Sequence, residues 1–244
     1  MNAKFLIPAV LASLLLTGCN GSGNGRISIG LTDSPMDNAS AAVVEFTGVT
    51  FMPDSGAAIT YTFPLAQQID LAQLQNGNWT SLVGSFTLPA GHYQYLELQI
   101  AASGSGTDSY LTLNDGTQHA LVLGPTGTQG LRARYLTDGF DINADTTEMF
   151  TIDFDMRKSV LAPTPPSTAY VLEPSMRMVK DDTVGNIIGT VSAALIGTGC
   201  TPVVYTYAGS VSNPTDLDRS APASTQPVSE SPVKLNTTTG SYEF

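Results

Sequence analysis

Three groups of side chains in this chain have the types and spacing to do chemistry. Asp153 and Asp155 alternate with Phe150, Ile152, Phe154 and Met156, and Arg157 follows two residues on. Alternate residues of a strand share one face at roughly 7 Å, a separation at which two carboxylates could act as acid and base on a glycosidic bond. The same spacing lets Arg157, together with Asp33, neutralise both carboxylates in a structural polar network. That reading is preferred, because no third group orients or activates the pair. Asp141, Asn143 and Asp145, flanked by Asp138 and Glu148, form the second group and could offer oxygen ligands to calcium. They lack the loop glycine and distal glutamate of a calcium-binding helix-loop-helix, so a turn held by Asn and Asp side chains is expected, with weak calcium affinity at most. Trp79, Tyr93 and Tyr95 are the third group, and could present a stacking platform to a sugar. Aromatics more often serve as a core tryptophan or a cross-strand pair, and that role is preferred.

Other chemistry lacks its residues. There is no Gly-x-Ser-x-Gly turn and no His-Glu-x-x-His. His92 and His119, the two histidines, are expected as exposed strand residues. Gly124 to Gly130 is glycine-rich without the Lys-Ser/Thr ending of a phosphate loop, and is expected to be a plain loop. The expectation is therefore a protein without catalytic residues or cofactor, not an enzyme.

The elements that must position these groups are strands. Phe150 to Val160 alternates with period two and reads as one half-buried strand organising the rest. Before it come Arg26 to Leu31, Ala41 to Met52 with Gly48 marking a bulge, Ile59 to Phe63, Gln67 to Leu71, and the strand after Leu88-Pro-Ala-Gly-His-Tyr93. In this last strand Leu96, Leu98 and Ile100 take one face, Tyr93 and Tyr95 the other. Asp70 to Gly77 suggests one helical turn with Leu71 and Leu74 inward. Tyr110 to Leu123 reads as a hairpin around Asn114-Asp115-Gly116. Tyr170 to Val179 is expected to close the unit, interrupted by Pro174. About ten strands with almost no helical periodicity predict an all-β, antiparallel two-sheet sandwich of immunoglobulin or prealbumin type.

The chain has 244 residues, with 10 Lys and Arg against 21 Asp and Glu, a net charge of −11. That balance argues against nucleic acid as a partner. Charged residues make up 13% and hydrophobic ones 42%, which leaves enough apolar surface to build a core. The first residues resemble a bacterial lipoprotein signal: Lys4, an apolar run from Phe5, then Leu16-Thr17-Gly18-Cys19. The resemblance implies that residues 1–18 are removed and that Cys19 is acylated, with each buried methylene contributing about 0.8 kcal/mol to membrane attachment. Asn20 in place of Asp implies sorting to the bacterial outer membrane. Residues 19–25, rich in glycine, are expected to act as a tether. The membrane is then one partner, and an envelope glycan or protein is the candidate second.

Leu31-Thr-Asp-Ser-Pro35, Asp70 to Gly77, Leu88 to Tyr93, Asp153 to Val160 and Leu172-Glu-Pro-Ser-Met-Arg-Met178 occur in this order. Together they resemble the bacterial family of unknown function numbered 4382 (DUF4382), over about residues 26–179. The family occurs in exported lipoproteins and has no established activity, so the resemblance implies an address and no chemistry. Residues 180–185 are expected to be a linker. Residues 186–244 resemble part of a carboxypeptidase-regulatory-like or prealbumin-like module, an incomplete second sandwich with Ser212 to Pro232 as a surface loop. Cys200, left alone if Cys19 is lipidated, is expected to have its partner in sequence beyond this chain.

Overall fold

The alternation read in the sequence recurs as alternating burial in the computed structural model. Gly25, Ile27, Ile29, Leu31 and Asp33 are buried along the first strand, with exposed or half-buried residues between them. The structure describes residues 23–33, 36, 38–75, 77–124, 131–135, 139–197, 202–215 and 222–244, with 131–135 described by backbone alone. Cys19, Asp138, Cys200 and the Asp216-Leu-Asp218 stretch lie outside the described residues.

Thirteen strands form the first unit. In chain order they are β1 (Asn24–Asp33), β2 (Ala39–Pro53), β3 (Ile59–Asp70), β4 (Thr80–Pro89), β5 (Gly91–Ala101), β6 (Tyr110–Leu113) and β7 (Gln118–Leu123). They continue with β8 (Leu131–Tyr135), β9 (Phe140–Ile142), β10 (Thr147–Phe154), β11 (Val160–Leu161), β12 (Tyr170–Leu172) and β13 (Met176–Lys180). The hydrogen-bonded path runs β11-β12-β7-β6-β2-β5-β8-β13-β10-β1-β4, with β3 beside β2 and β9 beside β5. This is the all-β sandwich expected. Most neighbours are antiparallel, while β1–β10, β7–β12 and β8–β13 run parallel. None of these three pairs is a hairpin, so the connections do not impose an antiparallel direction.

Aromatic rings join the two layers across the core. Phe46 of β2 meets Phe154 of β10 edge-on at 6.3 Å, and Phe51 of β2 stacks on Phe86 of β4 at 5.8 Å. Phe140 of β9 meets Phe150 of β10 at 5.2 Å. The bulge expected at Gly48 is present, as the registers of β2 with β3 and with β5 both slip between Phe46 and Gly48. Leu71–Leu74 forms a 3-10 turn with both leucines buried, and the Asp70 side chain accepts from the Ala72 and Ala42 amides. The Asp-Gly hairpin joins β6 to β7, with Gly116 at φ 84°.

Two expectations about the organising strand and its closing partner need correction. β10 ends at Phe154, and Met156–Ser159 is a single helical turn. Asp155 caps it by accepting from the Lys158 amide at 2.9 Å, and Asp33 Oδ1 accepts from the Met156 amide at 3.1 Å. Capping at a carboxylate turns the chain out of the sheet, yet Met156 stays fully buried, in phase with Phe154. Tyr170 to Val179 is two strands, not one interrupted strand: β12 pairs with β7 and β11, and β13 pairs with β10 and β8. Glu173, Pro174 and Ser175 carry the chain between them.

The C-terminal segment builds two small sheets. β14 (Thr190–Val191), β17 (Lys234–Leu235) and β18 (Tyr242–Glu243) form one, and β15 (Val203–Thr206) with β16 (Ser229–Pro232) forms the other. The stretch expected as a loop thus supplies a strand at Ser229–Pro232, because Val203–Thr206 needs a hydrogen-bonded neighbour. Among the described residues of this segment Pro227 and Val233 are the buried apolar side chains, while Ile187, Ile188, Leu195 and Leu235 are exposed.

Candidate functional site

The sandwich has two poles, defined by the ends of β1. At one pole Gly23 and Asn24 are sewn to neighbouring turns: the Ala90 amide donates to Gly23 O at 2.8 Å and the Asp145 amide to Asn24 O at 3.0 Å. Gly23 to Gly25, expected in the tether, are therefore packed against the sandwich. At the other pole Asp33 lies level with Phe154 in the β1–β10 register. The ten residues of β1 separate the poles by about 30 Å.

The first pole carries the candidate metal group. Asp141 Oδ1 lies 2.9 Å from His92 Nδ1 at the surface. Asn143 donates through Nδ2 to Glu148 Oε1 at 2.7 Å, and Asp145 turns the chain at φ 60°. Asp141, Asn143 and Asp145 thus serve separate contacts of one turn. Among the described residues no three His, Cys, Asp or Glu side chains are grouped to hold a metal ion. Glu148 anchors this turn. Burial works against its charge, but Lys180 Nζ at 2.7 Å, with Asn143 and Thr146 donating, holds its carboxyl at about 2. Beside it a cleft of about 350 Å³ is lined by Asp54, Ser55, Pro89, Ala90, His92 and Tyr93. Serine, histidine and aspartate are the residue types of an acyl-transfer triad, but the Nε2 edge of His92 faces Gly139, where an added Cβ would stand 2.5 Å from it. The arrangement is that of a surface His–Asp pair supporting β9.

The aromatic group is divided. Tyr93 is 1% exposed, stacks on Phe140 at 5.5 Å and donates through its hydroxyl to Pro89 O at 2.8 Å. The expectation that it shares an outer face with Tyr95 fails because β5 carries an extra residue opposite β2. Met52 pairs with Tyr95 but Pro53 pairs with Tyr93, so Gln94 is bulged out and the alternation changes phase. Burial pushes the Tyr93 hydroxyl above its ordinary pKa. Tyr95 stays half-buried on the outside of β5. Trp79 is 66% exposed and belongs to the opposite layer. Its Cε3 lies over Gly30 of β1, 3.4 Å from where a Cβ would stand, with Thr151 Oγ1 at the same distance. A side chain at Gly30 would crowd the indole.

The second pole collects the other group of charged residues noted in the sequence. Asp153 accepts from Arg177 at 3.2 Å, and Asp155 pairs with Lys158 at 2.9 Å besides capping the turn. The two carboxylates thus serve different partners. Ser159 ties the turn to the β12–β13 connection: its hydroxyl donates to Asp155 O at 2.5 Å and accepts from the Ser175 amide at 2.8 Å. Arg157 reaches the C-terminal segment, where Nη1 donates to Tyr205 Oη and lies 3.4 Å from Glu230 Oε2. Lys158 Nζ also donates to Pro227 O at 3.2 Å. Glu230 has no exposed side-chain surface, and its Oε1 has no hydrogen-bond partner among the described residues. Burial raises its carboxyl to about 7, with the Asp155 charge adding and Arg157 and Lys158 opposing. Glu230 was invisible in the sequence, since Val228-Ser-Glu-Ser-Pro232 carries no apolar alternation to mark a strand.

These features define a class: an all-β, two-layer sandwich with a polar, tied-down pole at each end of β1. The chain belongs to the family described as Domain of unknown function (DUF4382), whose model matches residues 24–174. No curated protein and no solved structure matches it.

Proposed function

We propose that the protein is a lipid-anchored component of the bacterial outer membrane and acts as a non-catalytic structural or binding module of the envelope. The observation that carries the reading is the closeness of Cys19 to the fold. Gly23 is already hydrogen-bonded into the sandwich, and four residues of chain reach at most about 14 Å. An acylated Cys19 would hold the first pole near the membrane surface and point the second pole, with the β15–β16 hairpin against it, away. In this reading the sandwich is a spacer, and the C-terminal residues are a small β module of carboxypeptidase-regulatory-like or prealbumin-like kind that it displays. The expected result is that the wild-type protein enters the detergent phase in Triton X-114 partitioning, whereas Cys19→Ser stays in the aqueous phase or as uncleaved precursor. Equal partitioning of the two forms would sink the anchor.

A second reading, envelope-glycan binding, is favoured by Trp79. Its indole lies on the bare backbone of Gly30 and is largely open to solvent, as a sugar-stacking ring must be. Trp79 is the single tryptophan of the chain, so its emission reports on this site alone. Titration with cell-wall and exopolysaccharide fragments should shift that emission, and Trp79→Ala should abolish retention on the immobilised glycan. Unchanged emission with every glycan would remove this reading and leave the structural one.

A further inference from the structure

We propose that the contact between the β15–β16 hairpin and the Met156–Ser159 turn is a proton-gated latch, in which Glu230 closes the hairpin over Arg157 and Lys158 when it carries a proton and loosens it when ionised. The latch is independent of the lipid anchor.

Charged and titratable groups meet at this contact from three elements, the Asp33 carboxylate of β1 holding the Met156 amide from below. From the turn come Asp155, Arg157 and Lys158; from the hairpin come Glu230 and, directly across the ladder from it, Tyr205. Lys158 is engaged by Asp155 at 2.9 Å and by Pro227 O at 3.2 Å. Arg157 is shared between Tyr205 Oη and Glu230, whose Oε2 it meets at the long distance of 3.4 Å. An ionised Glu230 therefore has one long contact with Arg157 on Oε2, an Oε1 without a hydrogen bond among the described residues, and the charges of Lys158 and Asp155 pulling in opposite directions, with burial outweighing them all. Burying a charge so incompletely partnered is costly. Taking a proton removes that cost, and undocking exposes the carboxylate to water and removes it too. Docking and proton binding are thus coupled.

The sign follows from the raised pKa. Docked Glu230 titrates at about 7 against an ordinary value of 4.5. Its contribution to docking is fully present below the ordinary value and is lost as pH rises through about 7. Between those two values the docked carboxyl holds its proton while the undocked one has released it, so docking weakens about tenfold for each step of one in pH. The docking equilibrium should therefore fall on the order of a hundredfold between pH 5 and pH 8. Among the described residues the hairpin strands themselves add no buried apolar side chain to the core cluster, the buried Pro227 and Val233 flanking them, so little else holds the hairpin against that change.

The test is hydrogen exchange of the full chain, read by mass spectrometry at pH 5 to 8 and corrected for the intrinsic rate. Amides of 203–206 and 229–231 should lose protection across that range, while those of β10 keep theirs. Glu230→Gln should abolish the pH dependence and keep the hairpin protected at pH 8. A wild-type hairpin equally protected at all pH values would overturn the latch, as would Glu230→Gln with an undiminished pH dependence. Should Glu230→Gln leave the hairpin open throughout, the carboxyl ¹³C shift of Glu230 in the wild type decides. Titration near 7 supports the latch, and titration near 4.5 overturns it.

Discussion

Replacing Phe154 by alanine is expected to lower the unfolding free energy by about 3–5 kcal/mol, the range for removing a buried phenyl ring. The ring is 0% exposed and stands where three demands meet. It is the last inward residue of β10, level with Asp33 of β1 and Met176 of β13. It crosses the core to meet Phe46 edge-on. It also precedes the capped turn that carries Arg157 and Lys158, so a cavity beneath it would loosen the floor on which the C-terminal hairpin rests. Met149→Ala, on the outer face of the same strand and 54% exposed, is the control and should change stability by under about 0.5 kcal/mol. Urea denaturation of both variants checks the pair. A midpoint for Phe154→Ala close to wild type would mean that the faces of β10 are inverted.

Such local alternation is what the sequence made legible. Phe150, Ile152 and Phe154 are buried on one face as their spacing required, and the Gly48 bulge, the Asp-Gly hairpin and the turn at Leu71 were marked by residues whose backbone preferences are local. What escaped reading depends on the partner strand. Tyr93 lies in phase with Tyr95 by sequence and becomes a core residue because β5 holds Gln94 as an extra residue against Pro53. Such a bulge is fixed by register, which one strand alone does not contain. The end of β10 at Phe154 depends on Asp33, a residue 123 positions from the amide it caps. The candidate site was legible as a list of charges and illegible as pairs. Arg157 and Glu230 lie 73 residues apart, a separation that no local pattern of charges bridges.

Gly25→Val should be the other strongly destabilising change, costing about 3 kcal/mol or more, at the upper end for a side chain forced into a filled site. Gly25 is the first inward position of β1, in phase with Ile27, Ile29 and Leu31. A Cβ there would stand 2.1 Å from Asn143 O and 2.7 Å from Ile142 Cγ2. The nearer obstacle is backbone, and it is not free to withdraw. Thr146, whose hydroxyl donates to Glu148 at 2.8 Å and lies 3.1 Å from that same oxygen, is itself held by the Arg26 amide on its carbonyl at 2.8 Å. Moving the turn would also pull Asn143 and Thr146 away from Glu148, whose carboxylate is fastened to Lys180 at 2.7 Å. At about 2–4 °C per kcal/mol for a unit of this size, the melting temperature should fall by roughly 10 °C. Gly84→Ala is the matched control, since the nearest atom to its added Cβ is 4.0 Å away, and it should melt at or slightly above wild type. The comparison bears on function as well as packing. If Gly25→Val melts like Gly84→Ala, the start of β1 is not clamped and Gly23 to Gly25 belong to the tether after all. If Gly25→Val melts low as expected, the packed fold begins at the start of β1, within a few residues of Cys19 in sequence.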